Sequence, residues 1–318
     1  MPVYNGEQYL SLAIESLLQQ TFSDFEILIA DNCSTDRTVE IAEQYAASDS
    51  RIRIIEREEN RGAVDNFNFV FHETKGEYFK WAAADDFCAP SFIEKCFYAL
   101  EKQPEAVWCH CDSDKVDSNG NSLLERLPAN DPTVVTKNGK RSWKGFPRSQ
   151  TDSESPALRF KDVLLGTTWC VDSYGLFRRS ALEKTRLFID TYGAEKVMIG
   201  ELALIGKYAH VGEPLFSQRI HEQASSSLDS LEKQQEYVGV KRQSYVKTRF
   251  KLFCAHLQSI HRHRIGWWNR LRSYMALTQY LFQFRKWFGM IGKQFSRRGV
   301  AGAGKRLLKS AKASENRF

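Results

Sequence analysis

Phe25-Glu26-Ile27-Leu28-Ile29-Ala30-Asp31-Asn32, continuing into Cys33-Ser34-Thr35-Asp36, is a short apolar strand that ends on a carboxylate. Glu77-Tyr78-Phe79-Lys80-Trp81-Ala82-Ala83-Ala84-Asp85-Asp86 repeats the design. In both, the acid falls where the chain leaves a strand and turns toward a helix. Open α/β sheets bind ligands outside the carboxyl ends of their strands. Carboxylates there suit a ribose hydroxyl and a divalent cation chelated by a diphosphate. A plainer reading stands beside this one. The oxygens of Asp31, Ser34 and Thr35 are of the kind that cap helices. Asp85 and Asp86 are ordinary turn residues ahead of Pro90. Two adjacent aspartates repel each other in a cap, however, and both stations lie behind strands of similar length. Together they favour the ligand reading.

The flanking segments alternate in period. Glu7 to Gln20 carries Leu10, Ala13, Ile14, Leu17 and Leu18 on one helical face. Thr35 to Ala47, Ala63 to Thr74 and Ser91 to Lys102 also read as helices, and Arg51–Glu56 and Glu105–Cys111 as strands. This alternation predicts an α/β fold, a mostly parallel sheet flanked by helices. Residues 125–155, rich in Pro, Asn, Gly, Ser and charge, read as a long loop of the kind that serves as a lid or acceptor contact, or as a disordered insert. Ser155-Pro156 opens another helix, with Pro where its missing N–H does no harm.

Five blocks, in order, resemble the family 2 glycosyltransferases of GT-A fold. They are Pro2-Val3-Tyr4-Asn5-Gly6; Tyr9-Leu10 with Ile14 to Thr21; Asp31 to Thr38; Asn60-Arg61-Gly62 with Asn66; and Trp81 to Asp86 with Pro90, while further on Tyr192 to Leu202 resembles the segment that holds the family's catalytic carboxylate. Any one alone is a weak signal, and their order and spacing make the resemblance specific. The resemblance covers about residues 1–225. It implies a nucleotide-sugar donor, with Tyr4 near the base and Asp31 accepting a hydrogen bond from it. Pro2, Asn66 and Asp85 belong to the same nucleotide site. Asp85 and Asp86 form the metal and ribose station, holding Mn2+ or Mg2+ against the diphosphate. The family has a further Asp two positions before Asp85, where this chain has Ala83. The family also has an apolar strand of several residues before the position of Pro2. Here Met1 leaves that strand very short or truncated.

Inverting glycosyl transfer needs one general base to take the acceptor hydroxyl's proton. The position matching the family's aspartate base is Glu195. A charge interaction at a helix start is the alternative for that residue. Glu201, six residues on, could share its helix face, with a solvated or partner-facing charge as the simpler reading. Arg219-Ile220-His221 resembles the closing element, where some relatives place a histidine beside the metal or diphosphate, so His221 joins the expected metal set. Arg219 could neutralise diphosphate, and Trp169 could face an acceptor sugar.

Composition sets outer bounds. With 318 residues, 42% hydrophobic and 26% charged, the chain is an ordinary globular protein with room for one large or two small domains. Its seven cysteines form no CxxC pair, and Cys109-His110-Cys111 sits in an apolar strand, which reads as core rather than zinc site. Reduced thiols, no secretory leader pattern and no run of 18 apolar residues fit a cytoplasmic protein. The net charge of +6 hides an asymmetry. Residues 1–232 hold 25 Lys and Arg against 37 Asp and Glu, whereas residues 233–318 hold 20 against two. Trp267-Trp268-Asn269-Arg270-Leu271 and Tyr280 to Phe288 mix Trp, apolar and basic residues at helical spacing. That pattern suits a helix in a membrane interface, attracted to anionic lipid, or a helix packed on the body with a solvated basic face. No nucleic-acid motif accompanies it, so nucleic acid is not an expected partner.

The expected organisation is a catalytic domain over residues 1–225 and a basic, Trp-rich helical extension over 226–318. The expected acceptor is a glycan or lipid-linked glycan of cell-envelope polysaccharide synthesis, met at the inner face of a membrane. Ala83 and the short first strand keep a second class open, a catalytically weak relative acting as a binding or scaffold subunit. A nucleotidyltransferase lacks support, because no Gly-rich phosphate loop opens the chain.

Overall fold

The computed structural model describes residues 1–128, 131, 134–137, 140–143, 152–166, 171–228 and 230–282. Trp169, residues 283–318 with the expected helical stretch to Phe288, and 14 of the 31 positions of the expected loop 125–155 lie outside the described residues.

The first half alternates as the periodicity predicts. β1 (Pro2–Val3), α1 (Leu10–Leu18), β2 (Ile27–Asp31), α2 (Thr38–Ser48), β3 (Ile52–Glu56) and α3 (Ala63–His72) follow one another. The three strands form a parallel sheet in the order β1-β2-β3. β2 is buried along its whole length, which explains its unbroken apolar run. Val3 and Glu56 flank Asp31 in register, so the first acidic station ends the central strand of this sheet.

The second half builds a mixed sheet. β4 (Tyr78–Phe79), β5 (Phe87–Cys88), α4 (Phe92–Glu101) and β6 (Ala106–Val116) come first. A hairpin of β7 (Val134–Lys137) and β8 (Lys140–Trp143) falls within the segment read as loop. Then come α5 (Pro156–Lys161), running into a π-helical turn, β9 (Leu176–Arg178), α6 (Arg179–Leu182), α7 (Ala194–Ile205) and β10 (Lys207–Arg219). The strand order is β4-β9-β6-β10-β5. β10 runs parallel to β6, while β5 pairs antiparallel with β10.

The core fills the space between these layers. Trp81, fully buried, meets Phe79, Phe177 and Phe188 edge-on, with ring centroids 4.7, 5.6 and 5.0 Å away. Its indole N–H donates to the Phe67 carbonyl at 2.8 Å. The strand feeding the second acidic station is thus anchored to α3 and β9.

Three helices close the described chain: α8 (Leu231–Tyr237), α9 (Tyr245–Arg262) and α10 (Gly266–Leu281). Ser230 and Ser244 cap α8 and α9 by accepting from the N–H of Lys233 and Lys247. α9 lies on α7, and α10 lies on α5 and α9. Ala276, Leu277 and Tyr280 face inward with Phe160, Leu164 and Ile260, while Trp267, Trp268, Leu271 and Met275 face solvent. Among the described residues, no helix is long and apolar enough to cross a membrane.

Candidate active site

The first station is a tightly stitched loop. Asp31 Oδ2 accepts from the Ser34 N–H at 2.8 Å, and Ser34 Oγ accepts from the Asn5 N–H at 2.8 Å. Asn5 Oδ1 accepts from the Thr35 N–H, and Thr38 Oγ1 from the Gly6 N–H, both at 2.8 Å. Asn5 and Cys33 adopt positive φ to make these turns. Asp31 therefore does not cap α2; Asp36, accepting from the Thr38 N–H at 3.0 Å, serves that helix start. Asp31 is 3% exposed, and its Oδ1 has no hydrogen-bond partner. Beside this loop Tyr4 is 49% exposed, a free aromatic face at the rim.

The third sequence block joins the first station. Asn32 donates to Asn60 Oδ1 at 2.8 Å and accepts from the Arg61 N–H at 3.2 Å. Asn66 is buried, and its amide donates to the carbonyl of Ala30 at 2.9 Å. It crosslinks α3 to the sheet, with its own Oδ1 unpartnered. Pro2, buried in β1, faces Ala30 in register. Both support the floor under the loop.

The second station is placed by β5. Phe87 pairs with Ser217 and Cys88 with Phe216, so Asp85 and Asp86 must sit beside the end of β10. There Asp85 Oδ2 meets His221 Nε2 at 2.9 Å, and Asp86 Oδ1 accepts the Arg219 N–H at 2.8 Å. The Arg219 guanidinium holds the carbonyls of Asp85 and Ser118, each at 2.9 Å. It positions the turn and is 2% exposed. Asp86 is buried, and burial together with the Asp85 charge pushes its carboxyl well above the usual range. Asp85 is a third exposed and open to a ligand.

The carboxylates of Asp85 and Asp86 are donors of the kind a hard divalent cation takes. Two carboxylates, one of them buried with its charge poorly offset, stand beside an imidazole. Mg2+ and Mn2+ sites of this type take few protein ligands and leave the rest to phosphate and water. Among the described residues no group of three His, Cys, Asp or Glu forms a ready cage, in keeping with Ala83 replacing a third aspartate.

Glu195 opens α7, after Gly193 turns the chain at φ 87°. Burial raises its carboxyl above the ordinary glutamate value. Tyr174 and Tyr237 each lie in the combined field of Asp85 and Glu195, and burial with those charges raises both phenols. Neither tyrosine carries a local sequence signal: Tyr174 closes a 3-10 turn, Val171–Tyr174, and Tyr237 ends α8. Glu201, in contrast, is fully buried and paired with Arg186 at 2.8 Å, rather than the solvated or partner-facing charge expected.

A family model described as Glycosyl transferase family 2 matches residues 1–186. An uncharacterized glycosyltransferase of Haemophilus influenzae is 26% identical over 246 residues, covering 76% of this chain and 70% of that protein. The glycosyltransferase GlyG of Streptococcus pneumoniae is 31% identical over 107 residues, 34% of this chain and 36% of GlyG. The chain thus spans only part of the length of the curated relatives it matches. Among solved structures, S. aureus TarS 1-349 in complex with UDP superposes with a TM-score of 0.60 at 15% identity, covering 92% of this chain and 75% of that one. At that identity the likeness is one of fold.

Proposed function

The chain belongs to glycosyl transferase family 2 and is a glycosyltransferase, and on that premise we propose that it moves a sugar from a nucleotide-sugar donor to a glycan or lipid-linked glycan of the cell envelope, with inversion and with Mg2+ or Mn2+. The observation that carries the donor half is Asp31. A buried carboxylate oxygen without a partner is costly unless a ligand supplies a donor. The imino N–H of a nucleobase supplies one, with Tyr4 covering the ring. The UDP held by TarS fits this reading.

Asp85, Asp86 and His221 would hold the cation, which when bound offsets the charge that develops on the leaving diphosphate. The acceptor hydroxyl approaches the anomeric carbon from the side away from the diphosphate. As its oxygen attacks, the proton passes to a carboxylate oxygen of Glu195, and the bond from anomeric carbon to diphosphate breaks toward the diphosphate. One base suffices for this single displacement, which inverts the anomeric centre. The raised affinity of Glu195 for protons suits a base working near neutral pH. The proposed catalytic unit is residues 1–225. The proposed role of residues 226–318 is contact with an anionic membrane surface, supported by the exposed Trp267 and Trp268 rings, stacked 3.6 Å apart, and by the basic composition of this region.

Release of nucleoside diphosphate from UDP- and GDP-linked sugars by the full chain, with and without Mn2+, tests the reading. Release that needs the cation and stops with a chelator is expected. Nucleotide binding without any release would instead favour the scaffold reading that Ala83 raises.

A further inference from the structure

The expected boundary at residue 225 falls just before α8, yet the turn that ends α8 lies against the loop beside Asp31. Val238 closes the helix, and Gly239 follows with φ at 75°. The Gly239 N–H donates to the Glu236 carbonyl at 3.0 Å, and the Val240 N–H to the Gln235 carbonyl at 2.9 Å. This pair of bonds is a Schellman ending, which takes a left-handed residue at the position of Gly239. Gln235, 2% exposed, locks the turn from behind. Its amide donates to the Gln243 carbonyl at 3.0 Å and accepts the Gln243 N–H at 2.8 Å.

A second constraint falls on the same glycine. A Cβ on Gly239 would lie 2.7 Å from both the Arg61 carbonyl oxygen and the Gly62 Cα, and one on Gly62 would lie 2.4 Å from the Gly239 Cα. The two backbones touch, and neither position has room for a side chain. Gly62, itself at φ 82°, opens α3. Its N–H donates to Asn60 Oδ1 at 2.8 Å, and that oxygen also accepts from the Asn32 amide at 2.8 Å. Asn32 Oδ1 in turn accepts the Arg61 N–H at 3.2 Å. Asn32 directly follows Asp31, whose Oδ1 is unpartnered. One backbone contact and these side-chain hydrogen bonds therefore connect the end of α8 to the nucleotide carboxylate.

Resting on the donor-site reading above, we propose that Gly239 and the turn it closes are positioning elements of the nucleotide site. The contact with Gly62 holds the Asn60-Arg61-Gly62 loop against Asn32, and thereby sets where the Asp31 carboxylate meets the nucleobase. The donor site then reaches past residue 225. Such coupling is reciprocal: filling the site tightens the turn, and displacing the turn loosens the site. A turn that served folding alone would change how stably the chain folds and leave the nucleotide affinity of folded molecules as it was.

The experiment titrates UDP and GDP, with Mn2+, into the full wild-type chain, Gly239→Asn and Ser244→Ala by calorimetry. Asparagine tolerates the left-handed conformation, so Gly239→Asn keeps the helix ending while its Cβ meets the Arg61 carbonyl. Ser244→Ala removes the cap of α9 and weakens the same group of helices away from the loop. The affinity of Gly239→Asn for the nucleotide that wild type prefers should fall about fivefold, the loss expected of a released hydrogen bond, whereas Ser244→Ala should stay within about twofold. Hydrogen exchange on the wild-type chain reads the same coupling without any variant. Nucleotide with Mn2+ should slow exchange at the Gly239 and Val240 amides. Wild-type affinity in Gly239→Asn, an equal loss in Ser244→Ala, or exchange at Gly239 and Val240 indifferent to bound nucleotide would overturn the proposal. A wild-type chain that binds neither nucleotide would overturn the donor-site reading itself, and this proposal with it.

Discussion

At the scale of single residues, the site depends on carboxylates whose surroundings differ. Asp31 keeps one oxygen for the Ser34 N–H and leaves the other unpartnered. Asp31→Ala should therefore weaken nucleoside diphosphate binding by about 1–3 kcal/mol, read by titration calorimetry, with little loss of fold stability. Glu195 holds its proton more tightly than a free glutamate. A base must be ionised to accept a proton, so turnover should fall as pH drops through this raised value, above the ordinary ~4.3 of glutamate. The stability effect has the opposite sense. A carboxyl whose folded pKa is raised costs stability above that value, and the cost disappears below the unfolded value. Glu195→Gln should thus be at least as stable as wild type at pH 7, lose the acidic limb of the rate profile, and turn over roughly 10²–10⁴ times more slowly. A Glu195→Gln enzyme with wild-type turnover would remove Glu195 from the base role.

At the scale of elements, α7 carries two glutamates with different duties. Glu201 pairs with Arg186, which also donates to the Ala255 carbonyl and to Ser259 on α9, both at 2.7 Å. This network fastens α9 to α7. Glu201→Ala leaves Arg186 uncompensated and should cost about 3–5 kcal/mol in urea unfolding. A stable but inactive Glu201→Gln chain would instead move the base role to Glu201. The strands and helices of the first half were legible in the sequence because one-sided burial writes a period into it: Leu10, Ala13, Ile14 and Leu17 are all buried on α1. Asp31, Asp85, Asp86 and His221 were legible from strand ends and family pattern, and the structure brings the last three together. β10 was not legible. Its burial alternates irregularly and register shifts interrupt its pairing near Pro214. β5 has only two residues, too few for any period, yet it decides where Asp85 and Asp86 go.

At the scale of the whole molecule, charge and apolar surface divide along the chain. The outer face of α10 exposes Trp267 at 65% and Trp268 at 60%, next to a strongly basic C-terminal region. Full-length protein should float with anionic vesicles at low salt and be partly retained at high salt, since basic residues contribute about 1 kcal/mol each near such a surface. Trp267→Ser with Trp268→Ser should reduce the salt-resistant part. Full-length protein that stays behind in flotation at low salt would assign this face to packing instead. The donor site is the centre of the account, and cation-dependent nucleotide binding probes it most directly. UDP and GDP should be titrated, with and without Mn2+, into the wild-type chain, Asp85→Asn and Asp86→Asn. Binding of at least one nucleotide that needs the cation in wild type, and is lost in both variants while their folds persist, is the expected result. Wild-type affinity in both variants, or no nucleotide binding by the wild-type chain, would contradict it.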